Sequence, residues 1–226
     1  MTRTPEPKPR MAVLVSGRGR NLQAIVQRCR QSLIVAEISA VLCNRADAPA
    51  LDVARRAGLP CEILPHSQFP SREAFEAALA AALRRHAPDI VALAGFMRVL
   101  GPTFVAEFEG RMLNVHPSLL PRHPGLNTHR AVLEAGETEH GATVHFVTPA
   151  VDTGARVIQG RLAVLPGEDE QSLAARVLEC IELRIYPQAL AWMARGELCL
   201  AGGVAVFRDR ALSEPLGLDE LEEAFR

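Results

Sequence analysis

The stretch MAVLVSGRGRNLQAIV, Met11 to Val26, decides the fold. Met11 to Ser16 is a nearly unbroken apolar run of strand length, and Gly17-Arg18-Gly19-Arg20 is a turn. Leu22, Ile25 and Val26 then recur on one helical stripe, with Asn21 as the expected N-cap of a helix through Arg30. A strand that is apolar at successive positions is buried on both faces, which requires a parallel sheet covered by helices.

Working outward, the pattern repeats. Strands are expected at about Ile34–Cys43, Cys61–Leu64, Ile90–Ala94 and Arg111–Val115. They alternate with helices at about Pro49–Ala57, Ser71–His86 and Pro102–Glu109. Beyond His116-Pro117 the character changes. A Pro/Gly-rich stretch to Gly125 precedes a short helix, two runs able to pair (Ala142–Thr148 and Arg156–Val164), and a long helix at about Glu170–Arg195 with Pro187 as an expected kink. One or two short edge strands are expected in Leu198–Phe207. The fold class is therefore α/β: a Rossmann-like, mostly parallel central sheet flanked by helices, with a mixed C-terminal part. Residues 1–10 are expected to be a disordered leader, 11–210 a single domain, and 211–226 a polar C-terminal tail.

The 226 residues fit one large domain or two small ones at roughly 100–200 residues each. With 25 Lys+Arg against 26 Asp+Glu, the chain lacks the basic excess of a dedicated nucleic-acid binder. No apolar run approaches the ~20 residues that cross a bilayer. The five scattered cysteines form no C-x-x-C pair and read as reduced thiols, and the proline-rich start is no secretory signal, so a cytoplasmic location is expected.

Three motifs carry chemistry. The glycine loop Ser16–Asn21 opens onto a helix N-terminus, where backbone N–H groups and the helix dipole favour an anion. A plain strand-to-helix turn could use the same glycines, but Arg18 and Arg20 favour phosphate. Position 22 is Leu where a dinucleotide fingerprint has its third glycine, and Asp47 is a weak ribose acid, so a nicotinamide cofactor is disfavoured. In LNVHPSLLPRHPG, Asn114 and His116 stand two apart on a strand and project from one face at its carboxyl end. A carboxamide beside an imidazole suits acyl chemistry, although a structural Asn and a core His would have the same spacing. Asp152, in the loop VDTG, is a candidate carboxylate partner provided its loop folds over the same sheet edge. Five of the seven histidines fall between His116 and His145, but their spacing fits no familiar ligand set, so no metal is expected. Ser118 reads as a loop-capping hydroxyl, and Arg72 and Arg98 could each fix an acidic ligand.

Together, SGRGRNLQAI, SREAF, PDIVALAGFMRVL, LNVHPSLLPRHPGLNTHR, HGATVHFVTPAVDTG and IYP resemble the phosphoribosylglycinamide formyltransferase family, in order, from about Met11 to Trp192. The resemblance implies formyl transfer from 10-formyltetrahydrofolate, as co-substrate, to the amine of 5'-phosphoribosylglycinamide in de novo purine biosynthesis. By motif match it gives Asn114, His116 and Asp152 catalytic roles. Gly19, Arg20 and Asn21 would bind the acceptor phosphate and Glu182 the ribose. Arg72, Met97, Arg98, Val99, Leu100 and Asn114 would line the folate site.

The chain departs from the family's usual residues at Arg20, Leu183 and Ala155, none of which removes a catalytic group. A 10-formyltetrahydrofolate hydrolase is the alternative, disfavoured because only ten residues precede the first strand. A methionyl-tRNA formyltransferase should carry a basic C-terminal extension, and a non-catalytic sensor has no use for the Asn-His-Asp trio. Partners are expected to be the two small-molecule substrates, without nucleic acid or membrane, in a monomer or homodimer.

Overall fold

The structure, a computed structural model, describes residues 7–226. Seven strands build the main sheet: β1 (Arg10–Val15), β2 (Glu37–Cys43), β3 (Cys61–Ile63), β4 (Ile90–Leu93), β5 (Met112–His116), β6 (Glu139–Phe146) and β7 (Arg156–Ala163). Their order is β3-β2-β1-β4-β5-β6-β7. The first five run parallel, and β6 and β7 are antiparallel additions at one edge. The helices are α1 (Arg20–Arg30), α2 (Ala50–Ala57), α3 (Arg72–His86), α4 (Pro102–Glu107), α5 (Thr128–Glu134), α6 (Glu170–Val177) and α7 (Leu183–Ala194).

Alternation along β1 divides the core. Met11, Val13 and Val15 face the layer of α1, α2, α6 and α7, while Ala12 and Leu14 face α3 and α4. The chain leaves β1 toward β2 and β3, then returns to β4 on the other side. This reversal opens a crevice beyond the carboxyl ends of β1 and β4, where open α/β sheets bind ligands. Tyr186, fully buried on α7, locks this arrangement: its hydroxyl lies 3.0 Å from the Leu93 carbonyl, at the end of β4, and 2.9 Å from that of Leu113, near the start of β5.

Several elements differ from expectation. β2 begins at Glu37, because the N–H groups of Leu33 and Ile34 turn back to the Arg28 carbonyl and finish α1 instead. Gly19, not Asn21, caps α1. It adopts φ +77°, and Ala50 packs so closely that a Cβ there would lie 2.8 Å from the Ala50 Cα. The long C-terminal helix does not simply kink at Pro187. A π-helical turn, Leu178–Glu182, separates α6 from α7 one turn upstream, and α7 continues through the proline.

Leu198–Phe207 does not add to the edge of the main sheet. It forms β8 (Leu198–Ala201) and β9 (Val204–Phe207), which with β10 (Arg210–Ala211) make a separate antiparallel sheet. Residues 211–226 are not a tail lying apart. Leu216 exchanges backbone bonds with Val157 and Gln159 beside β7, and Leu221 and Phe225 are buried. Of the expected leader, residues 1–6 lie outside the described residues. Pro9 and Arg10 are tied to Glu37 and Asp89, and Arg10 already belongs to β1.

Tyr186→Phe should lower stability by about 1–3 kcal/mol, because it strips a donor from two buried carbonyls. Urea unfolding measures this, and an unchanged midpoint would show that the hydroxyl is not a lock.

Candidate active site

Asn114 and His116 reach the carboxyl end of β5 as alternation predicts, and the register of β6 sets His145 directly opposite Asn114. His145 Nδ1 lies 2.8 Å from the Phe146 carbonyl, so that nitrogen donates. In the neutral ring Nε2 therefore accepts, from Asn114 Nδ2 at 3.1 Å. This fixes the carboxamide with its N–H₂ toward the ring and leaves it a second N–H to donate. The sequence reading missed His145. Its only signal was a place seven residues before Asp152, and its importance depends on cross-strand register.

The VDTG loop returns over β6 because Gly154 lies against the Phe146 carbonyl, where a Cβ would come within 1.8 Å of the oxygen. Asp152, at φ +54°, then accepts from the Gly125 N–H at 2.8 Å. It stands 3.3 Å from His116 Nδ1 and 3.5 Å from His145 Nε2. The Asp152 carboxyl is held below its ordinary value: burial opposes ionisation, but the His145 ring in its protonated form, the Gly125 N–H and the His116 ring outweigh it.

The other nitrogen of His116, Nε2, donates to the His123 carbonyl at 3.0 Å. Burial pushes the imidazole below the ordinary histidine value, while that carbonyl and Asp152 favour its charged form. A neutral ring carries one N–H and can satisfy only one of these acceptors. With Nε2 anchored to the backbone, the exchangeable proton of the imidazolium is the one on Nδ1, facing Asp152.

The loop carrying the anchor is itself held. Ser118 Oγ donates to the Arg122 carbonyl at 2.8 Å, a structural role, and Thr143 Oγ1 bridges the Ser118 carbonyl and the Leu120 N–H. The other histidines of the stretch from His116 to His145 form separate partnerships, His123 with Glu137 and His129 with His140. Among the described residues no group of three or more His, Cys, Asp or Glu side chains is arranged to hold a metal.

At the glycine loop, the residues expected near a phosphate come together. The first turn of α1 has no side-chain cap, Asn21 Nδ2 donates to Glu182 Oε2 at 2.8 Å, and Asn21 Oδ1 is buried without a partner. Burial pushes the Glu182 carboxyl up, and the π-helical turn is what carries it opposite Asn21. Arg20 forms an ion pair with Glu179 on the same turn, both about half exposed, a partner sequence reasoning did not supply.

Along the loop after β4, Met97 and Val99 are exposed, Leu100 is buried, and Arg98 is half-buried with Nε unpartnered. The Met97 N–H is already taken by Ser16 Oγ at 2.8 Å, which joins this loop to the end of β1. Arg72 lies on α3 with Nε 3.5 Å from Glu76, whose carboxylate accepts the Gly101 N–H at 2.9 Å. This places α3 against the end of the same loop.

The formyl transferase family pattern matches residues 9–190. The chain is 47% identical over 188 residues to phosphoribosylglycinamide formyltransferase of Escherichia coli (strain K12), covering 83% of this chain and 88% of that protein. It is 40% identical over 203 residues to the Haemophilus influenzae protein of the same name, covering 90% and 95%. The solved phosphoribosylglycinamide formyltransferase of Coxiella burnetii superposes with a TM-score of 0.87 at 43% identity, over 93% of this chain and 100% of that one. A mostly parallel sheet with an Asn-His-Asp constellation at its edge beside an uncapped glycine loop, and likeness at this level over most of the chain, together establish that this protein belongs to the formyl transferase family, among the phosphoribosylglycinamide formyltransferases.

Proposed function

We propose that the chain transfers a formyl group from 10-formyltetrahydrofolate to the amine of 5'-phosphoribosylglycinamide, a step of purine biosynthesis. The observation that carries this reading is His116 held at both nitrogens, with Asp152 on the Nδ1 side and Asn114 beside it, on the sheet edge that also bears the glycine loop. The uncapped turn of α1 offers N–H groups to the acceptor phosphate, with Gly19, Arg20 and Asn21 around it. Glu182, opposite Asn21, takes the ribose hydroxyls. Met97, Arg98, Val99 and Leu100, with Arg72 at the rim, receive the folate: exposed apolar side chains suit its ring faces, and the arginines suit its carboxylates.

In the reaction the acceptor amine attacks the formyl carbon and its carbonyl oxygen gains negative charge. The second N–H of Asn114 donates to that oxygen, and the His116 imidazolium beside it, held between Asp152 and the His123 carbonyl, adds its positive charge, a stabilisation present only once charge has developed. The attacking amine gives up a proton and the departing folate nitrogen gains one. Asp152, kept ionised, holds the imidazolium and passes the proton between these two nitrogens through water. No bond to the protein forms, so the protein's contribution is positioning and charge.

His116→Ala and Asp152→Asn should each lower kcat about 10²- to 10³-fold, with much smaller changes in either KM. Asp152→Asn should also move the alkaline limb of the kcat profile to lower pH. The carboxylate favours imidazolium, so without it the ring loses its proton earlier as pH rises. Steady-state kinetics across pH measures both, and a variant with wild-type kcat would remove that residue from the mechanism.

The Arg20–Glu179 pair gives a second test. Glu179→Gln frees Arg20 for the phosphate and should lower the acceptor KM by about two- to fivefold, while Arg20→Ser raises it; the scale is that of an exposed ion pair. Folate KM stays constant in both. An acceptor KM unmoved in both variants would take Arg20 out of the phosphate site.

A further inference from the structure

We propose that Glu137 is a positioning residue for the catalytic imidazole: by holding the His123 side chain it fixes the backbone carbonyl that takes the Nε2 proton of His116. The inference rests on the role assigned above to His116, and it names a residue outside the Asn-His-Asp constellation.

The chain of contacts is short and directional. His116 Nε2 donates to the His123 carbonyl at 3.0 Å, and the His123 ring reaches Glu137 Oε1 through Nε2 at 2.6 Å. The other oxygen, Oε2, accepts from Arg122 Nη1 at 2.8 Å, so one carboxylate grips two successive residues of the loop. Glu137 itself is rigidly placed. It follows Gly136 (φ +64°) at the end of α5, where the Gly136 and Glu137 N–H groups close on the Leu133 and Val132 carbonyls. His123, by contrast, has φ +49°, a conformation that costs a non-glycine residue energy and persists only where the surroundings enforce it. The carboxylate on a fixed helix end is the enforcing group, and the carbonyl is aimed at His116 as a result.

This carbonyl does two things for the ring. It fixes which nitrogen faces the reaction, since a ring anchored at Nε2 can turn only Nδ1 toward Asp152. It also favours the charged form, alongside Asp152 and against burial and the neighbouring His145. The titratable groups around the ring are Asp152 from the loop after β6, His145 from β6 and His129 from α5. Glu137 and Arg122 act on it only through the loop.

The test uses the full-length protein. In Glu137→Ala the His116 ring should titrate at lower pH than in wild type, read from its Cε1–H proton resonance assigned by comparison with His116→Asn. In the same variant kcat should fall about 10- to 100-fold, the scale of a displaced catalytic group, with both KM values within about twofold. Glu137→Gln keeps an acceptor for His123 Nε2 and should restore most of the titration and of kcat. Should Glu137→Ala fail to fold, His123→Gly carries the same test, because it removes the ring at a φ that glycine adopts freely. The titration needs no substrate, so it stands even if the transferred group or acceptor has been misassigned. A folded Glu137→Ala or His123→Gly whose His116 titrates as in wild type would overturn the proposal. So would loss of kcat without that shift, or a Glu137→Gln no better than alanine.

Discussion

Asp152 accepts the Gly125 N–H at 2.8 Å and stands within 3.5 Å of both His116 and His145, so the end of β5, the loop after it and the end of β6 meet on one carboxylate. The loop from Pro117 to Gly125, the end of β5 and the end of β6 are tied to one another by strand pairing, by the His116–His123 bond and by Thr143, and Asp152 adds one charged group that touches all three. Its position depends on a steric fact, the absence of a Cβ at Gly154, which lets the chain lie on the Phe146 carbonyl. Its charge depends on the N–H and imidazole groups around it, which outweigh the cost of burying an anion. Asp152 faces His116 Nδ1, while the His123 carbonyl holds Nε2 and the Phe146 carbonyl sets the His145 ring that orients Asn114.

The proposed acceptor side is built on a second constraint. Gly19 is pressed against Ala50, so α1 begins with uncapped N–H groups facing the crevice, and Asn21 is free to meet Glu182. The π-helical turn that carries Glu182 also carries Glu179, placing an anion beside Arg20. In the proposed phosphate site, a cation already paired in the free protein must exchange its carboxylate for a phosphate on binding. It therefore adds less affinity than an unpaired arginine, but it discriminates against acceptors that offer no anion.

Much of this was legible in the sequence where the signal is local. The apolar run Met11–Val15, the glycine turn and the stripe Leu22, Ile25, Val26 are each read within one element, and the parity of Asn114 and His116 follows from the two-residue period of a strand. What was missed depends on distant pairing. His145 matters because β6 runs antiparallel to β5 in one register, and a one-residue slip would turn its ring to the other face. Asn21 read as an N-cap because its residue type suits that place, but the approach of α2 gave the cap to glycine. The C-terminal residues read as a polar tail because Leu221 and Phe225 stand isolated among acidic residues, and their burial follows from the position of α1 and α7 in the finished fold.

On the proposed mechanism, one edge of the sheet holds both an imidazolium and a handle for a phosphorylated amine, so that the amine rather than water receives the formyl group. The direct measurement is the partition of product when purified protein and 10-formyltetrahydrofolate are incubated with and without 5'-phosphoribosylglycinamide. Formylated glycinamide should form in step with donor consumption, and free formate should appear only slowly in either case. Rapid formate release that the acceptor neither slows nor diverts would contradict the claim.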